Sequence, residues 1–274
     1  MNLPTLNYAE VIGDPISHSK SPLIHNFWLK KLGIPANYRP HHVVAADLAG
    51  YFAGRKDDPQ WRGCNVTIPH KQTVLDFVAD PGGVRESIGA ANTIFRNRDG
   101  VLQATNTDAA GFFAPIADID WAGASVAVIG AGGASRAILF ALAQADVGEV
   151  ILLARSPLKA AALLAHFGLK GRVLPLDTRL PPVALLVNSS PLGMTGQPPL
   201  AIDLTPLPDD AMVYDIVYTP QETPLLAAAL ARDLSITGGL DMLIGQAAMA
   251  FELFFGAAPP DDCEDELRAL LELR

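Results

Sequence analysis

A short apolar run that leads directly into a cluster of glycines most limits what this chain can fold into. Residues Ser125–Ile129 read SVAVI, which is typical of a buried strand, and Gly130–Ser135 read GAGGAS. Ser135–Gln144 is rich in helix-forming residues with spaced apolar positions, and Glu149–Leu153 (EVILL) begins another β run. This order predicts a strand, a tight turn, a helix and a second strand, which together make a βαβ unit.

The same alternation continues toward the C-terminus. Ala184–Val187 and Met212–Val217 are predicted to be buried strands, and Leu225–Arg232 is predicted to be a helix between the last of these strands and Ile236. Strands that alternate with helices in this way predict a parallel sheet with both faces covered.

The N-terminal part of the chain predicts a separate α/β unit. Its strand and helix candidates are, in chain order, Tyr8–Ile12, Ser21–Leu32 (helix), Tyr38–Val44 and Lys71–Ala79 (helix). Two more helices are predicted over Leu243–Phe255 and Cys263–Leu273, and we expect them to pack back on the N-terminal unit. A chain of 274 residues is long enough for two domains of ordinary size.

Charge and cysteine content narrow the class of protein. A net charge of -9 and a pI near 5.0 leave no broad basic surface for neutralising phosphates, so we expect no nucleic-acid partner. Cys64 and Cys263 lie far apart, which excludes a CxxC pair and favours a reducing compartment. Met1–Glu10 lacks a basic segment followed by a long apolar stretch, and no run reaches the roughly 18 apolar residues of a spanning helix. We therefore expect a cytoplasmic protein with no membrane partner.

The histidines do not predict a metal centre. His41 and His42 are adjacent, and neighbouring residues on a strand point to opposite faces of the sheet. No cysteine or third histidine follows at the spacing of a zinc site, so we expect no metal. Cys64 is expected to be a small buried packing residue rather than a redox-active thiol.

The glycine cluster fits a turn that binds a dinucleotide. It matches the pattern G-x-G-x-x-small at the point where a strand leads into a helix. Helix N–H groups at such a turn face an anion, and glycine lets a pyrophosphate approach the backbone closely. The residues expected to contact the cofactor here are Gly130, Ala131, Gly132, Gly133 and Ala134. The alternative is an ordinary tight turn between a strand and a helix.

The end of the second strand of the βαβ unit indicates which dinucleotide binds. An NAD-binding protein would carry Asp or Glu there for the ribose 2′-hydroxyl, but this chain has Ala154, Arg155 and Ser156, with Lys159 beyond. Arg155 would donate charge-assisted hydrogen bonds to the 2′-phosphate of NADP, worth roughly 1.5–3 kcal/mol. We therefore predict NADP, with Arg155, Ser156 and Lys159 among its contacts. The alternative is an arginine that is simply solvated.

Motifs along nearly the whole chain resemble those of the shikimate dehydrogenase family. They are Gly13–Pro22 (GDPISHSKSP), Asn65–Lys71 (NVTIPHK), Ala91–Thr93 (ANT), Asn106–Asp108 (NTD), Gly130–Arg136, Asn188–Met194 (NSSPLGM), Asp215–Tyr218 (DIVY) with Thr223-Pro224, and Gly239–Leu243 (GLDML) with Gln246. Taken together in this order, these motifs are highly specific.

The resemblance implies an α/β fold with two domains separated by a cleft. Residues 1–108 with 240–274 would form an α/β substrate-binding catalytic domain, and residues 109–239 a Rossmann-like parallel-sheet NADP domain. The family catalyses the reversible reduction of 3-dehydroshikimate to shikimate with NADPH, a step of aromatic amino-acid biosynthesis. A small-molecule substrate and a monomeric or homodimeric state are expected.

By the same resemblance, Lys71 and Asp108 form the catalytic pair. Reducing a ketone by hydride requires a proton for the nascent alkoxide, so one acid/base group must lie against that oxygen. Lys71 matches the family's acid/base residue, and Asp108 would orient it. The alternative is a plain structural ion pair between the two.

The resemblance also implies a set of substrate- and cofactor-binding side chains. Hydroxyls of Ser19, Ser21 and Tyr218 would bind the substrate carboxylate, although the two serines also suit N-caps of the following helix. Ring hydroxyls would meet Thr67, Asn92, Asp108 and Gln246, and Gly239 would line the cofactor site. The alternatives are turn-forming roles for Thr67 and Asn92 and a surface position for Gln246.

Two residues depart from the family pattern, and two rival functions stay open. His70 stands where a phenylalanine or another bulky residue is common, and Ala154 stands where asparagine is familiar. The first rival is a quinate/shikimate dehydrogenase of broader specificity that accepts NAD. The second is a catalytically silent relative that binds a metabolite without turnover, although the retention of both Lys71 and Asp108 argues against it.

Overall fold

The computed structural model describes residues 6–272 and divides into two compact units. The first unit contains the residues up to Thr107 together with those from Gln246 onward, and the second is Asp108–Gly245. Within residues 6–272, no helix is both long enough and apolar enough to cross a membrane.

The described residues form strands and helices that alternate along most of the chain. The strands are β1 (Asn7–Gly13), β2 (Ala36–His42), β3 (Trp61–Val66), β4 (Thr93–Arg96), β5 (Leu102–Thr105), β6 (Ser125–Ile129), β7 (Glu149–Leu153), β8 (Gly171–Leu174), β9 (Leu185–Asn188), β10 (Met212–Asp215) and β11 (Ser235–Gly238). The α-helices are α1 (Ser21–Leu32), α2 (Leu48–Lys56), α3 (Val84–Ser87), α4 (Asp108–Phe113), α5 (Gly133–Gln144), α6 (Pro157–His166), α7 (Pro224–Leu230), α8 (Gly239–Phe255) and α9 (Glu264–Glu272). Short 3-10 helices cover Ala45–Asp47, Thr73–Phe77 and Ala114–Ile116.

The described part of the first unit contains a mixed five-stranded sheet in the order β2-β1-β3-β4-β5. The first three of these strands run parallel, while β4 pairs antiparallel with both β3 and β5. The predicted helix over Ser21–Leu32 is confirmed, and the strands predicted at Tyr8–Ile12 and Tyr38–Val44 are confirmed with ends shifted by one or two residues. Parallel pairing of β1 with β3 places the carboxyl ends of these two strands at the same edge of the sheet.

The helix predicted over Lys71–Ala79 is wrong. Only Thr73–Phe77 is helical, as a 3-10 helix, and Val78 is extended at φ -138° and ψ 159°. Three β-branched residues in this segment, Thr73, Val74 and Val78, lower its helix propensity. Ala79 instead forms a parallel β-bridge with Gln103, so pairing with the sheet overrides the helical pattern here.

The second unit contains a six-stranded sheet in the order β11-β10-β9-β6-β7-β8, and every pairing in it is parallel. Numbered within this unit, the order is 6-5-4-1-2-3, which is the doubly wound Rossmann topology. The strands predicted at Ser125–Ile129 and Glu149–Leu153 are confirmed residue for residue. The strand order reverses between β6 and β9, so the crevice where ligands bind in this topology lies beyond the carboxyl ends of these two strands.

Alternate residues of the central strands enter two different apolar layers. Val126 and Val128 of β6 pack in the layer that contains α5 and α6, whereas Ala127 and Ile129 pack in the layer that contains α7. Both faces of the sheet are therefore covered, which explains why β6 is a continuous apolar run rather than an alternating one.

The C-terminal helices contribute to the first unit. From Gln246 onward α8 belongs to this unit, where its Ala250 and Phe254 pack with Ala9 and Val11 of β1. Helix α9 lies against α1, and Lys20 Nζ near the start of α1 donates to the Leu271 carbonyl of α9 at 2.8 Å.

Candidate active site

Two loops of the first unit lie side by side where β1 and β3 end. Ile12 pairs with Val66 in the parallel register, and the Thr67 N–H donates to the Ile12 carbonyl at 2.9 Å. The Asp14 N–H donates to the Ile68 carbonyl at 3.0 Å. The loop that carries Ser19 therefore begins against the loop that carries Thr67 and Lys71.

Backbone hydrogen bonds and one buried imidazole hold the segment around Lys71. The Lys71 carbonyl accepts from the Ala91 N–H at 2.7 Å, and the Lys71 side chain is half-buried. His70 is fully buried, its N–H donates to the Thr67 carbonyl at 2.9 Å, and its Nε2 lies 2.6 Å from the Val43 carbonyl oxygen. Because a carbonyl only accepts, Nε2 carries the proton of this ring.

Asn92, Thr107 and Gln246 meet in one buried polar cluster. Asn92 Oδ1 accepts from the Thr107 N–H at 2.7 Å, and its Nδ2 donates to Thr107 Oγ1 at 2.9 Å and to Gln246 Oε1 at 3.3 Å. The alternative of a surface position for Gln246 is therefore wrong, because this side chain is buried. Asn92 also bonds residues far along the chain, which a local turn would not require.

The two serines of the first loop have different surroundings. Ser21 is the first residue of α1 and is buried, whereas Ser19 is half-buried two residues earlier. Neither hydroxyl caps α1, since the N-cap is Lys20 and no side-chain cap bond is present there. Ser19 Oγ instead accepts from the Ser21 N–H at 3.3 Å, which closes a local turn.

Asp108 and Tyr218 belong to the second unit. Asp108 is the buried first residue of α4, and it follows Thr107 directly in the chain. Tyr218 is half-buried just after β10, and burial raises the pKa of its phenol. Its hydroxyl therefore remains a hydrogen-bond donor at neutral pH.

The glycine turn joins the carboxyl ends of β6, β7 and β9. The Gly130 N–H donates to the Leu153 carbonyl at 2.9 Å, and Ser189 Oγ donates to the Ile129 carbonyl at 2.6 Å. Gly130 has φ +111°, and a Cβ there would lie 2.8 Å from Ser189 Oγ. Glycine is therefore needed at this position for two reasons: the positive φ disfavours other residues, and a Cβ would collide with Ser189.

Helix α5 begins at Gly133, immediately after this turn. Ser135 Oγ accepts from the Gly132 N–H at 2.9 Å and lies 2.8 Å from Ser189 Oγ. The first N–H groups of a helix have no partners within it, and the positive end of the helix dipole lies there. A Cβ on Gly132 would meet no atom within 4 Å, so there is open space beside this backbone for an anionic group.

The basic residues predicted to bind a 2′-phosphate lie at the same edge of the sheet. Arg155 and Ser156 follow β7, whose Leu153 pairs with Ile129 of β6, and Lys159 lies in the first turn of α6. All three are exposed, and neither Arg155 nor Lys159 makes a hydrogen bond or ion pair within residues 6–272. The residues present therefore fit the phosphate groups of NADP.

Gly239 has a clear packing role. It is the first residue of α8, and a Cβ there would lie 2.2 Å from the Ile216 carbonyl oxygen. The close approach of these two backbone segments requires glycine at this position.

No metal centre is present in the described part of the chain. Residues 6–272 contain no group of three or more His, Cys, Asp or Glu side chains arranged to hold an ion. His42 Nε2 lies 2.7 Å from Asp14 Oδ1, and His41 Nδ1 lies 3.5 Å from Glu10 Oε1. The two histidines thus contact different carboxylates. Cys64 is fully buried, as predicted for a packing residue, and burial raises the pKa of its thiol well above the usual value.

Sequence reasoning missed the buried polar residues behind the candidate site. Tyr38 and Asn65 are joined by a hydrogen bond of 2.6 Å, and Ser189 links β9 to the glycine turn. Asn65 and Ser189 lie within motifs that resemble those of the family, and this resemblance could have indicated that they matter for the site. Tyr38 carried no signal beyond its place on a predicted strand.

A glycine turn at the reversal point of a doubly wound parallel sheet, followed by basic residues after the second strand, is the arrangement of NADP-dependent dehydrogenases. A family model described as the shikimate dehydrogenase substrate binding domain matches residues 11–94, and one described as the shikimate 5'-dehydrogenase C-terminal domain matches residues 239–263. The chain is 66% identical over 264 residues to a shikimate dehydrogenase (NADP(+)) of Sphingopyxis alaskensis, with 96% of each protein covered.

Solved structures with the same fold include enzymes of two specificities. Shikimate 5-dehydrogenase from Thermus thermophilus, in complex with NADP(H) and shikimate, is 34% identical with a TM-score of 0.82, covering 97% of this chain and 100% of that one. The ligand-free 5-ketofructose reductase of Gluconobacter sp. strain CHM43 is 26% identical with a TM-score of 0.88, covering 99% of each chain. The identity and coverage of the Sphingopyxis relative show that the chain belongs to the shikimate dehydrogenase family.

Proposed function

We propose that this protein catalyses the reversible NADPH-dependent reduction of 3-dehydroshikimate to shikimate, a step in aromatic amino-acid biosynthesis. The observation that carries the proposal is the buried cluster of Asn92, Thr107 and Gln246, in the same unit as Lys71 and Thr67. A site that reads several alcohols must offer both donors and acceptors, and amide and hydroxyl side chains supply them.

In this proposal the second unit binds NADP. The N–H groups at the start of α5 and the glycine turn hold the pyrophosphate, while Arg155, Ser156 and Lys159 bind the 2′-phosphate. Ala131, Gly133 and Ala134 contribute backbone to the same turn, and Gly239 lies near the cofactor. The bound cofactor supplies or accepts the hydride.

The proton is handled by Lys71. Its ammonium gives a proton to the oxygen that becomes the alkoxide during reduction, and its amine removes that proton during oxidation. Asp108 orients the lysine and binds a neighbouring hydroxyl of the ring. Lys71 lies on a segment that is fixed through the bond from the Ala91 N–H, which supports a precisely placed acid/base group.

Substrate binding is divided between the two ends of the ring. Ser19, Ser21 and Tyr218 donate hydrogen bonds to the carboxylate, and the raised pKa of Tyr218 keeps that hydroxyl protonated. Thr67, Asn92 and Gln246 bind the ring hydroxyls. Neutral donors suit a carboxylate that must be released at each turnover, because they hold it less tightly than an arginine would.

The two domains have different roles in this function. Residues 1–108 with 240–274 would form the substrate-binding catalytic domain, and residues 109–239 the NADP domain. The compact units divide slightly differently, with Asp108 and residues 240–245 in the second unit. We also propose a cytoplasmic location and a monomeric or homodimeric state. Cell fractionation and analytical ultracentrifugation test these two points directly.

The test is initial-rate oxidation of shikimate and of quinate by the purified chain, with NADP and with NAD. Turnover confined to shikimate with NADP supports the proposal. Comparable rates with quinate or NAD would replace it with the broader quinate/shikimate enzyme. NADP binding without any turnover would indicate a catalytically silent relative. A fifth assay, reduction of 5-ketofructose with NADPH, addresses the other specificity found among proteins of this fold.

Variants of Lys71 test the mechanism. Lys71→Ala should lower kcat by about 10²–10⁴-fold, the usual contribution of general acid/base catalysis, and should leave the Kd for NADP unchanged. Lys56→Ala removes an exposed lysine at the end of α2 and is the matched control. Normal turnover and a normal pH profile in Lys71→Ala would rule out the proton-transfer role.

A further inference from the structure

We propose that Tyr38 is a positioning residue for substrate recognition: through Asn65 and Thr93, its hydroxyl holds the amide of Asn92 in place. The inference rests on the proposed function, in which Asn92 binds a ring hydroxyl. Tyr38 itself is placed on β2 at the edge of the sheet, and no motif in the sequence points to it.

A continuous chain of buried hydrogen bonds joins Tyr38 to Asn92. The Tyr38 hydroxyl donates to Asn65 Oδ1 at 2.6 Å, and Asn65 Nδ2 donates to Thr93 Oγ1 at 2.9 Å. The Thr93 hydroxyl then donates to Asn92 Oδ1 at 3.1 Å. We call this chain the Tyr38 relay.

Backbone groups fix the direction of this relay. Asn65 Nδ2 also donates to the Asn92 carbonyl at 3.3 Å, and Asn92 Oδ1 accepts from the Thr107 N–H at 2.7 Å. A backbone carbonyl cannot donate and a backbone N–H cannot accept. Rotating either side-chain amide by 180° would therefore place two acceptors or two donors against each other. Asn65 must therefore present Oδ1 to Tyr38, and Tyr38 must be the donor.

The hydrogen-bonded chain continues from Asn92 to Gln246. Because Asn92 Oδ1 faces Thr93 and Thr107, its Nδ2 faces Gln246 Oε1 at 3.3 Å. Gln246 thus accepts from Asn92 through its oxygen, which fixes how the Gln246 amide is oriented at this contact. A disturbance of the relay at Tyr38 is therefore expected to reach the Gln246 side chain through Asn92.

Tyr38 is held as a rigid starting point. Asn26 of α1 bonds both backbone groups of Tyr38, accepting from its N–H at 2.9 Å and donating to its carbonyl at 2.7 Å. The ring stacks on buried His25 with centroids 4.0 Å apart and planes 3° apart. Burial lowers the pKa of His25 to about 3 and raises that of Tyr38 well above its ordinary value, so His25 stays neutral and Tyr38 stays a donor.

The first test compares Tyr38→Phe with Tyr51→Phe. Tyr51 is also buried in the first unit and donates to Glu10 Oε2 at 2.8 Å, a residue that is not part of the relay. Tyr38→Phe should raise the KM for shikimate about tenfold and leave the KM for NADP unchanged, because the acceptor on Asn65 loses its donor. Tyr51→Phe should leave both KM values unchanged. Equal KM values for shikimate in the two variants would overturn the proposal.

A double-mutant cycle with Asn65→Ala separates the relay from a general loosening of the core. If Tyr38 acts through Asn65, Tyr38→Phe should have no further effect on the KM for shikimate once Asn65 is alanine. Additive effects of the two substitutions would contradict the relay.

A spectroscopic readout keeps this inference independent of the proposed function. In protein labelled with ¹⁵N-asparagine, the side-chain amide signals of Asn92, assigned with Asn92→Asp, should shift in Tyr38→Phe and not in Tyr51→Phe. If the wild-type protein oxidised no shikimate, the proposed function would be wrong. The NMR measurement would still show whether Tyr38 acts on Asn92 through the relay. Unshifted Asn92 signals in Tyr38→Phe would refute the relay even in an active enzyme.

Discussion

His70 Nε2 donates a hydrogen bond to the Val43 carbonyl oxygen across 2.6 Å. Val43 in turn donates its N–H to the Gly13 carbonyl at 3.2 Å, so one residue after β2 contacts both loops of the candidate site. His70 immediately precedes Lys71, and its imidazole therefore ties the segment that carries Lys71 to the rest of the first unit. A family position often occupied by an apolar ring here holds a hydrogen-bond donor.

His70→Phe should lower kcat about tenfold, because it keeps a ring of similar size but releases Lys71 from this tie. The Kd for NADP should not change. His70→Gln is the matched control, since its Nε2 can reach the Val43 carbonyl as the imidazole does, and it should recover most of the lost kcat. If the phenylalanine variant turned over at the wild-type rate, the hydrogen bond would have no part in placing Lys71.

Alanine substitutions at Gly130 and Gly132 should affect different properties, the first the stability of the protein and the second its affinity for NADP. A Cβ on Gly130, at φ +111°, would lie 2.8 Å from Ser189 Oγ, so Gly130→Ala should lower the free energy of unfolding by about 1–3 kcal/mol. A Cβ on Gly132 meets no protein atom within 4 Å, so Gly132→Ala should keep its stability and raise the Kd for NADP about tenfold. Urea denaturation and NADP titration measure the two quantities, and a destabilised Gly132→Ala would contradict this division.

The central strands β6, β7, β9 and β10 of the second unit could be predicted closely because they are apolar and buried, whereas the more exposed edge strand β8 was not predicted. Ser125–Ile129 is apolar throughout and leads into glycine, so its sequence has few other structures open to it. Strand β3 of the first unit, Trp61–Val66, was not predicted, since Arg62 and Gly63 interrupt its apolar pattern. Gly63 is needed because a Cβ there would lie 2.4 Å from the Ile94 carbonyl, a contact that arises only once β3 and β4 pair.

The residues of the candidate site could be predicted from the sequence, but the hydrogen bonds that hold them in place could not. Lys71, Asn92 and Gln246 stand in motifs, yet the bond between Asn92 and Gln246 joins residues 154 positions apart, and no local pattern encodes it. Tyr38 and Asn65 lie 27 positions apart on strands that are both paired to β1 but not to each other. Periodicity reports which residues are buried, but it does not report which buried polar atoms meet.

Arg155→Ala should raise the KM for NADP roughly ten- to a hundredfold and leave the KM for NAD unchanged, because only NADP carries the 2′-phosphate. Arg172→Ala is the control, since Arg172 is an exposed arginine of the same unit that pairs with Glu149 at 2.8 Å. Equal losses of NAD and NADP affinity in Arg155→Ala would place the arginine somewhere other than at the 2′-phosphate.

Glu10 should make the stability of the first unit depend on pH. Burial alone would raise the pKa of this fully buried carboxyl, but hydrogen bonds from Arg55, Tyr51 and Arg39 hold it below its ordinary value. Glu10→Gln should lower the free energy of unfolding at pH 7 by about 2–4 kcal/mol, because it leaves Arg55 without its bidentate partner. Glu149→Gln, which breaks an exposed pair with Arg172, should cost no more than about 1 kcal/mol.

The sign of the pH effect follows from the direction of the Glu10 shift. A carboxyl whose pKa is lower in the folded protein stabilises it above the unfolded-state pKa, about 4.3 for glutamate, and this contribution disappears as the pH falls through the folded-state value. The difference in unfolding free energy between wild type and Glu10→Gln should therefore be constant from pH 7 to about pH 5 and shrink below about pH 4.3. Urea denaturation at several pH values measures it. A difference that grew on acidification would mean that burial, rather than the arginines, controls the ionisation of Glu10.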